Sequence, residues 1–129
     1  MTDPVPRGRV TLQTIAMPAD TNANGDIFGG WLMAQMDLGC SVLARERAHG
    51  RVATVAVQGM SFLRPVRVGD IVSIHSEMLA EGTTSMTIAV EAWVTRLPAG
   101  GRMRVTGPVD ASTVKALIAV LGQSKRRRR

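Results

Sequence analysis

Aromatic side chains are nearly absent: the 129 residues hold two Trp, two Phe and no Tyr. Any core must therefore be filled by Val, Ile, Leu, Met and Ala. Cysteine is limited to Cys40, which excludes an internal disulfide and fits a reducing, cytoplasmic setting. With two His and no paired Cys, zinc-type ligand spacing is missing, so no metal is expected. No Gly-x-Ser-x-Gly elbow exists for a serine triad. The glycine clusters lack the Lys-Ser/Thr ending of a phosphate-binding loop, and no cofactor is expected.

Long hydrophobic runs are limited to Ile27–Ala44. Asp37 near its centre costs about 2.5–3.5 kcal/mol on membrane insertion, and Gly29, Gly30 and Gln35 weaken it further. No membrane partner is expected. The first residues show no charged stretch followed by an apolar one, so no secretory leader is expected either.

Charge is unevenly placed. The formal net charge is +6, with sixteen cations against ten acids. Lys125 to Arg129 carry five of those cations, leaving eleven against ten in the body. A basic run of this kind is expected to be solvated. It has no interleaved aromatic residue, so nucleic acid is an unlikely partner.

In order, 1–8 reads as a loose arm and Val10–Ala16 as a strand. Pro18–Gly25 has the composition of a turn, and a helix follows from Phe28 to Ala48. His49-Gly50 ends it, with Gly50 available for a left-handed cap and His49 near the negative end of the dipole. Val52–Val57, Met60–Leu63, Ile71–Ala80, Ser85–Thr95 and Arg102–Thr106 read as strands, with a bulge at Gly59. His75 shares a solvated sheet face with Ser73 and Glu77. Past Gly107-Pro108, Asp110 resembles an N-cap. Val114, Leu117, Ile118 and Leu121 fall at helical spacing, with Gly122 as the stop. One domain over 9–106 is expected, then an atypical amphipathic helix within 107–124 and a basic tail over 125–129.

Two places on the first helix could carry chemistry. At its entrance, Gly29 and Gly30 precede N–H groups with no intrahelical partner, where the dipole is positive. They could admit a carbonyl oxygen, or simply allow close packing. Further along lies Asp37, a carboxylate inside a helix that is apolar on nearly every face and therefore expected to be buried. It is either a catalytic group or a structurally bonded one. The two places lie about 11–12 Å apart along the axis at 1.5 Å per residue. They cannot easily meet at one carbonyl carbon within one chain. If both act on one substrate, two chains must combine. One carboxylate and a set of amide donors suffice for thioester cleavage, because a thiolate with a pKa of about 8.5 leaves with little protonation. Cys40 reads as a small buried hydrophobe.

The stretches Ala16-Met17-Pro18, Asp20–Trp31 and Met36-Asp37 carry a resemblance. So do His49–Val52, Val55–Val57, Phe62 and Pro65–Asp70. Together they resemble the hotdog-fold acyl-CoA thioesterases of the YciA type, over about Arg9 to Thr106. The resemblance implies an α+β fold, a curved antiparallel sheet wrapped around a long central helix. It implies a homodimer, extendable to a trimer of dimers, that hydrolyses acyl-CoA at its interface. It implies Asp37 as base or nucleophile, the partner's Asn24 as the group placing substrate or water, and amides at Phe28, Gly29 and Gly30 on the thioester carbonyl. Candidates for the CoA phosphates are Arg64, Arg67, Thr83, Thr84 and Ser85. The pattern departs after Thr106, where the family continues into a long β-branched and aromatic strand. Loss of that strand would leave a sheet unpaired, so the alternative is an acyl-CoA-binding protein with impaired catalysis.

Overall fold

The computed structural model describes residues 5–58, 62–98, 100–105 and 115–121. Strand β1 (Arg9–Ile15) leads through a 3-10 turn (Pro18–Asp20) to helix α1 (Gly29–Ala48). Strands β2 (Val52–Gln58), β3 (Ile71–Glu81), β4 (Ser85–Thr95), β5 (Arg102–Arg104) and β6 (Lys115–Val120) follow. They form one antiparallel sheet in the order β1-β3-β4-β6-β2, with β5 also on β4. The helix packs against β1, β2, β3, β4 and β6, so the sheet wraps it as expected.

Alternation in β4 positions the core. Met86, Ile88, Val90, Ala92 and Val94 all point at the helix and are buried. Its other face is also covered, because Glu91 and Trp93 are buried there. The Trp93 indole N–H donates to the Glu91 carboxylate at 2.8 Å, and the Arg7 N–H does so at 3.0 Å. The described part of the arm is therefore anchored rather than loose. Arg7 also pairs with Glu77, and the Gly8 carbonyl lies 3.2 Å from His75 Nδ1. Gly8 has φ +81°, and a Cβ there would lie 2.3 Å from the Ser76 carbonyl oxygen.

The helix is not buried all round. Leu32, Met36, Gly39, Cys40, Ala44 and Ala48 face the sheet, whereas Met33, Leu38 and Val42 are exposed. One sheet can cover only one side of a helix, and nothing among the described residues lies over the other. The seat on β3 is close: a Cβ on Gly39 would lie 2.6 Å from Ile74 Cγ2 and 3.1 Å from Thr11 Oγ1. At the C-terminus it is His49, not Gly50, that takes the left-handed conformation, with φ 57°. Its N–H donates to the Arg45 carbonyl at 2.8 Å.

The expected terminal helix is a strand where it is described. Lys115–Val120 lies between β4 and β2, pairing with both. Helical spacing of Leu117, Ile118 and Leu121 coexists with period-two placement of Ala116 and Ile118, which are the buried pair. Such short apolar runs do not separate the two by periodicity. Two open ladder edges decide it, since each would otherwise leave backbone groups unpaired. The domain therefore extends through β6 rather than stopping at Thr106. Both β5 and β6 lie on the same edge of β4. Arg104 pairs with Trp93 and Lys115 with Ala89, so eleven steps of chain join positions whose partners are four apart. The registers of β5 and β6 on β4 are thus offset by seven residues from a single continuous strand. Asp110, Val114, Gly122, the 125–129 tail and the Gly59 bulge lie outside the described residues.

An ion pair between buried Asp70 and half-buried Arg96 holds the turn before β3. Arg96 donates to Asp70 through Nε at 2.8 Å and through Nη2 at 2.7 Å, and the Arg67 N–H donates to the same carboxylate at 2.9 Å. Burial alone would raise the Asp70 carboxyl. The Arg96 bonds, the Arg67 N–H and both guanidinium charges outweigh it and hold Asp70 below the usual carboxylate range.

Arg96→Ala strands the Asp70 carboxylate and should cost about 2–4 kcal/mol, less than a fully buried pair because Arg96 is partly solvated. Because the folded Asp70 value is lowered, its stabilisation is complete above about pH 4 and is lost as pH falls through the lower folded value. Denaturant unfolding between pH 3 and pH 7 (about the carboxylate range) should show a shallower acid loss in Asp70→Asn; an identical pH slope would refute this assignment. Gly39→Ala gains about 1 kcal/mol of helix propensity but overpacks Ile74, which costs about 1–3 kcal/mol. Thermal unfolding should show a net loss.

Candidate active site

The helix entrance is built by Asn22. Its side-chain Oδ1 accepts the N–H groups of Asn24 at 2.9 Å and Asp26 at 3.1 Å. Its own N–H donates to the Asp26 carbonyl at 2.6 Å, and a Thr21–Ile27 bridge closes the loop below. Gly25 supplies the left-handed corner, φ +82°. This leaves Asn24 exposed at the loop tip.

Phe28 is the residue before the first helical turn, and its N–H already donates to the Asp20 carbonyl at 3.1 Å. Its amide is therefore already engaged. Among the described residues, the N–H groups of Gly29, Gly30 and Trp31 have no acceptor, so the open amides start one residue after Phe28. The two glycines differ. A Cβ on Gly29 would lie 2.9 Å from the Phe62 ring, whereas one on Gly30 would meet nothing within 4 Å. Close packing explains Gly29; open approach describes Gly30.

Asp37 lies on the open side of the helix and is exposed in the single chain, contrary to the expected burial. It stands at the mouth of a cleft of about 380 Å³ lined by Gly30, Met33, Met36, Cys40, Val90 and Ala116, among others. The Thr54 hydroxyl donates to Asp37 Oδ1. Thr54 and Val57 both line this cleft although they are three apart in β2. A shift in the β2–β6 register between Thr54 and Ala56 makes that possible, setting Thr54 opposite Ile118 and Val57 opposite Ala116. In an unbroken strand, residues three apart point to opposite faces. Cys40 lies beneath, its thiol 3.4 Å from the Asp37 carbonyl. Burial first, and then the Asp37 charge, push this thiol up to about 12.

A family model described as the thioesterase superfamily matches residues 24–96, a span holding Asn24, the helix entrance, Asp37 and Thr54. The chain belongs to the thioesterase superfamily. It is 58% identical over 105 residues to the acyl-CoA thioester hydrolase YciA of Escherichia coli strain K12, covering 79% of this chain and 80% of that one. It superposes on the hexameric thioesterase y2039 of Yersinia pestis with a TM-score of 0.81 at 50% identity, over 94% of each chain. Against HI0827, a hexameric broad-specificity acyl-coenzyme A thioesterase, the TM-score is 0.83 at 45% identity, over 92% of this chain and 78% of that one.

Within the single chain, the basic and hydroxyl candidates of this thioesterase lie apart. Arg64 lies at the helix entrance, lining a 140 Å³ cleft with Phe28, Gly29 and Phe62, and donates to the Arg104 carbonyl at 2.8 Å. Arg67 belongs to the Asp70 turn. Thr83, Thr84 and Ser85 form the β3–β4 turn, beside Glu81, which pairs with Arg47 in the last turn of α1. The two groups thus sit at opposite ends of a helix about 30 Å long at 1.5 Å per residue. Among the described residues no three His, Cys, Asp or Glu side chains cluster as metal ligands, and no helix is long and apolar enough to cross a membrane.

Sequence reasoning missed Asn22, Thr54 and Arg96. The run of Asp and Asn before Gly25 carried a signal for Asn22. Nothing local marked Thr54, whose orientation depends on the bulge and on pairing with β6. The buried thiol gives a direct check: Cys40 should resist a disulfide reagent in native protein and react fully on unfolding, followed by absorbance. Rapid labelling of the folded protein would contradict its placement.

Proposed function

We propose that this chain hydrolyses acyl-CoA thioesters to a free acid and CoA, with Asp37 as the reacting carboxylate. The observation that carries the reading is Asp37, held by the Thr54 hydroxyl at the mouth of an apolar cleft, on the same helix as the unpaired amides of Gly29, Gly30 and Trp31. The Thr54 bond fixes one carboxylate oxygen and leaves the other to act. Asp37 activates water or attacks the carbonyl carbon directly. The amides stabilise the developing oxyanion, and the thiolate of CoA departs without needing a strong acid.

The two parts lie too far apart along one helix to serve one carbonyl, so the donors and Asn24 come from a second copy. Support comes from the surface that copy would cover. β2 is an edge strand, Val55 and Val57 on it are exposed, and so are Met33, Leu38 and Val42 on the helix. An unpaired edge beside an apolar face is a template for strand addition. The Yersinia pestis and HI0827 enzymes are hexamers, which supports a trimer of such dimers here. Impaired catalysis through an unpaired sheet is the weaker alternative, because β6 pairs with both β4 and β2.

Asp37→Asn should lose about 10²–10⁴-fold in kcat while still binding acyl-CoA, measured by thiol release beside calorimetric binding. Thr54→Val should lower kcat with KM little changed, and Thr54→Ser should restore most of it. Near-wild-type thiol release from Asp37→Asn would sink the assignment.

A further inference from the structure

The cleft below Asp37 has two parts. Gly30, Met33, Ala34, Asp37 and Val57 are exposed and form its mouth. Met36, Cys40, Val90 and Ala116 are 4%, 1%, 2% and 2% exposed and form its inner wall. The Cys40 thiol is buried within that wall. A substrate whose reacting carbon sits at Asp37 has a charged, strongly hydrated half and an apolar half. The charged half must stay in water, because burying phosphates without partners is costly. The apolar half gains by entering the concave, apolar side of the same site.

One residue of that inner wall, Ala116, carries only a methyl side chain. Across the sheet, Ala116 pairs with Val57 on β2 and with Ile88 on β4. Along its own strand the next residue on that face is Ile118, which is fully buried. A methyl group thus stands in a rank of branched side chains at the point where the cleft reaches the sheet. Any larger side chain there would project into the space under α1, whose other lining side chains, Met36 and Val90, already touch the core.

We propose that Ala116, on β6, sets the length of acyl chain that the Asp37 cleft admits, with Met36 and Val90 as the rest of its inner boundary. This rests on the hydrolase reading above. It also gives the segment after Thr106 a role in specificity, since β6 supplies the limiting residue.

The test is thiol release from acetyl-, butyryl-, octanoyl- and palmitoyl-CoA by wild type, Ala116→Val, Ala116→Ile and Val90→Ala, with thermal unfolding of each. Filling the gap should lower the octanoyl-to-acetyl ratio of kcat/KM by about 10-fold for Ala116→Val and further for Ala116→Ile, the scale of one or two methylenes in an apolar pocket. Val90→Ala should move the preference towards longer chains. If Ala116→Ile does not fold, Ala116→Val and Val90→Ala give opposite displacements of the same ratio and decide the matter. Hydrolysis of every ester with ratios unchanged in all folded variants would overturn the role of Ala116 while leaving the hydrolase intact. No hydrolysis by wild type would overturn the hydrolase reading itself.

Discussion

The close seat of α1 on β3 governs the rest of the structure. Gly39 lies so near Ile74 and Thr11 that no side chain fits between them, which fixes the rotation of the helix about its axis. Asp37 is two residues earlier, about 200° around a helix of 3.6 residues per turn. It therefore faces away from β3, towards β2 and Thr54. The same rotation puts Met33 and Val42 in the open and Met36, Cys40 and Ala44 on the sheet. One steric contact thus sets which face is core and which face is site.

The sheet completes the site through two irregularities. The β2 bulge turns Thr54 and Val57 to the same side, so that a hydroxyl reaches Asp37 and a methyl pair borders the cleft. The other is the seven-residue offset between the registers of β5 and β6, both of which pair with β4. Core continuity survives because Ala116, Ile118 and Val120 keep the period-two alternation that the ladder requires. Bulges and register offsets of this kind redirect individual side chains without altering the sheet order.

The polar anchors outside the cleft act at a distance from it. Asp70 and Arg96 tie the turn before β3 to the end of β4. Ile27 reaches the same region, its N–H donating to the Val66 carbonyl at 3.4 Å, so the loop that carries Asn24 rests on a turn held by that ion pair. Glu91 does the corresponding work on the outer face, joining the arm, Trp93 and Arg104. Buried charges in this chain thus occur where loops must be fixed to a sheet whose apolar contacts alone do not specify them.

Local chemistry in the sequence determined the long helix from Gly29, its polar entrance, the β3–β4 hairpin and the position of Asp37, because periodicity and glycine placement act within a few residues. The distance between the entrance and Asp37 is likewise a property of any helix, so it could be read before the fold was known. Tertiary structure decided the remainder. Lys115–Val120 became a strand because two ladders needed a partner, a demand no local pattern contains. The Phe28 N–H is taken up by the carbonyl of Asp20, a residue eight positions back across a folded loop. Thr54 met Asp37 only through a register shift, and Asp37 itself lies open in the single chain because one sheet covers only one side of its helix. Local preference acts over a turn or two of chain; these outcomes depend on residues that only the folded sheet brings together.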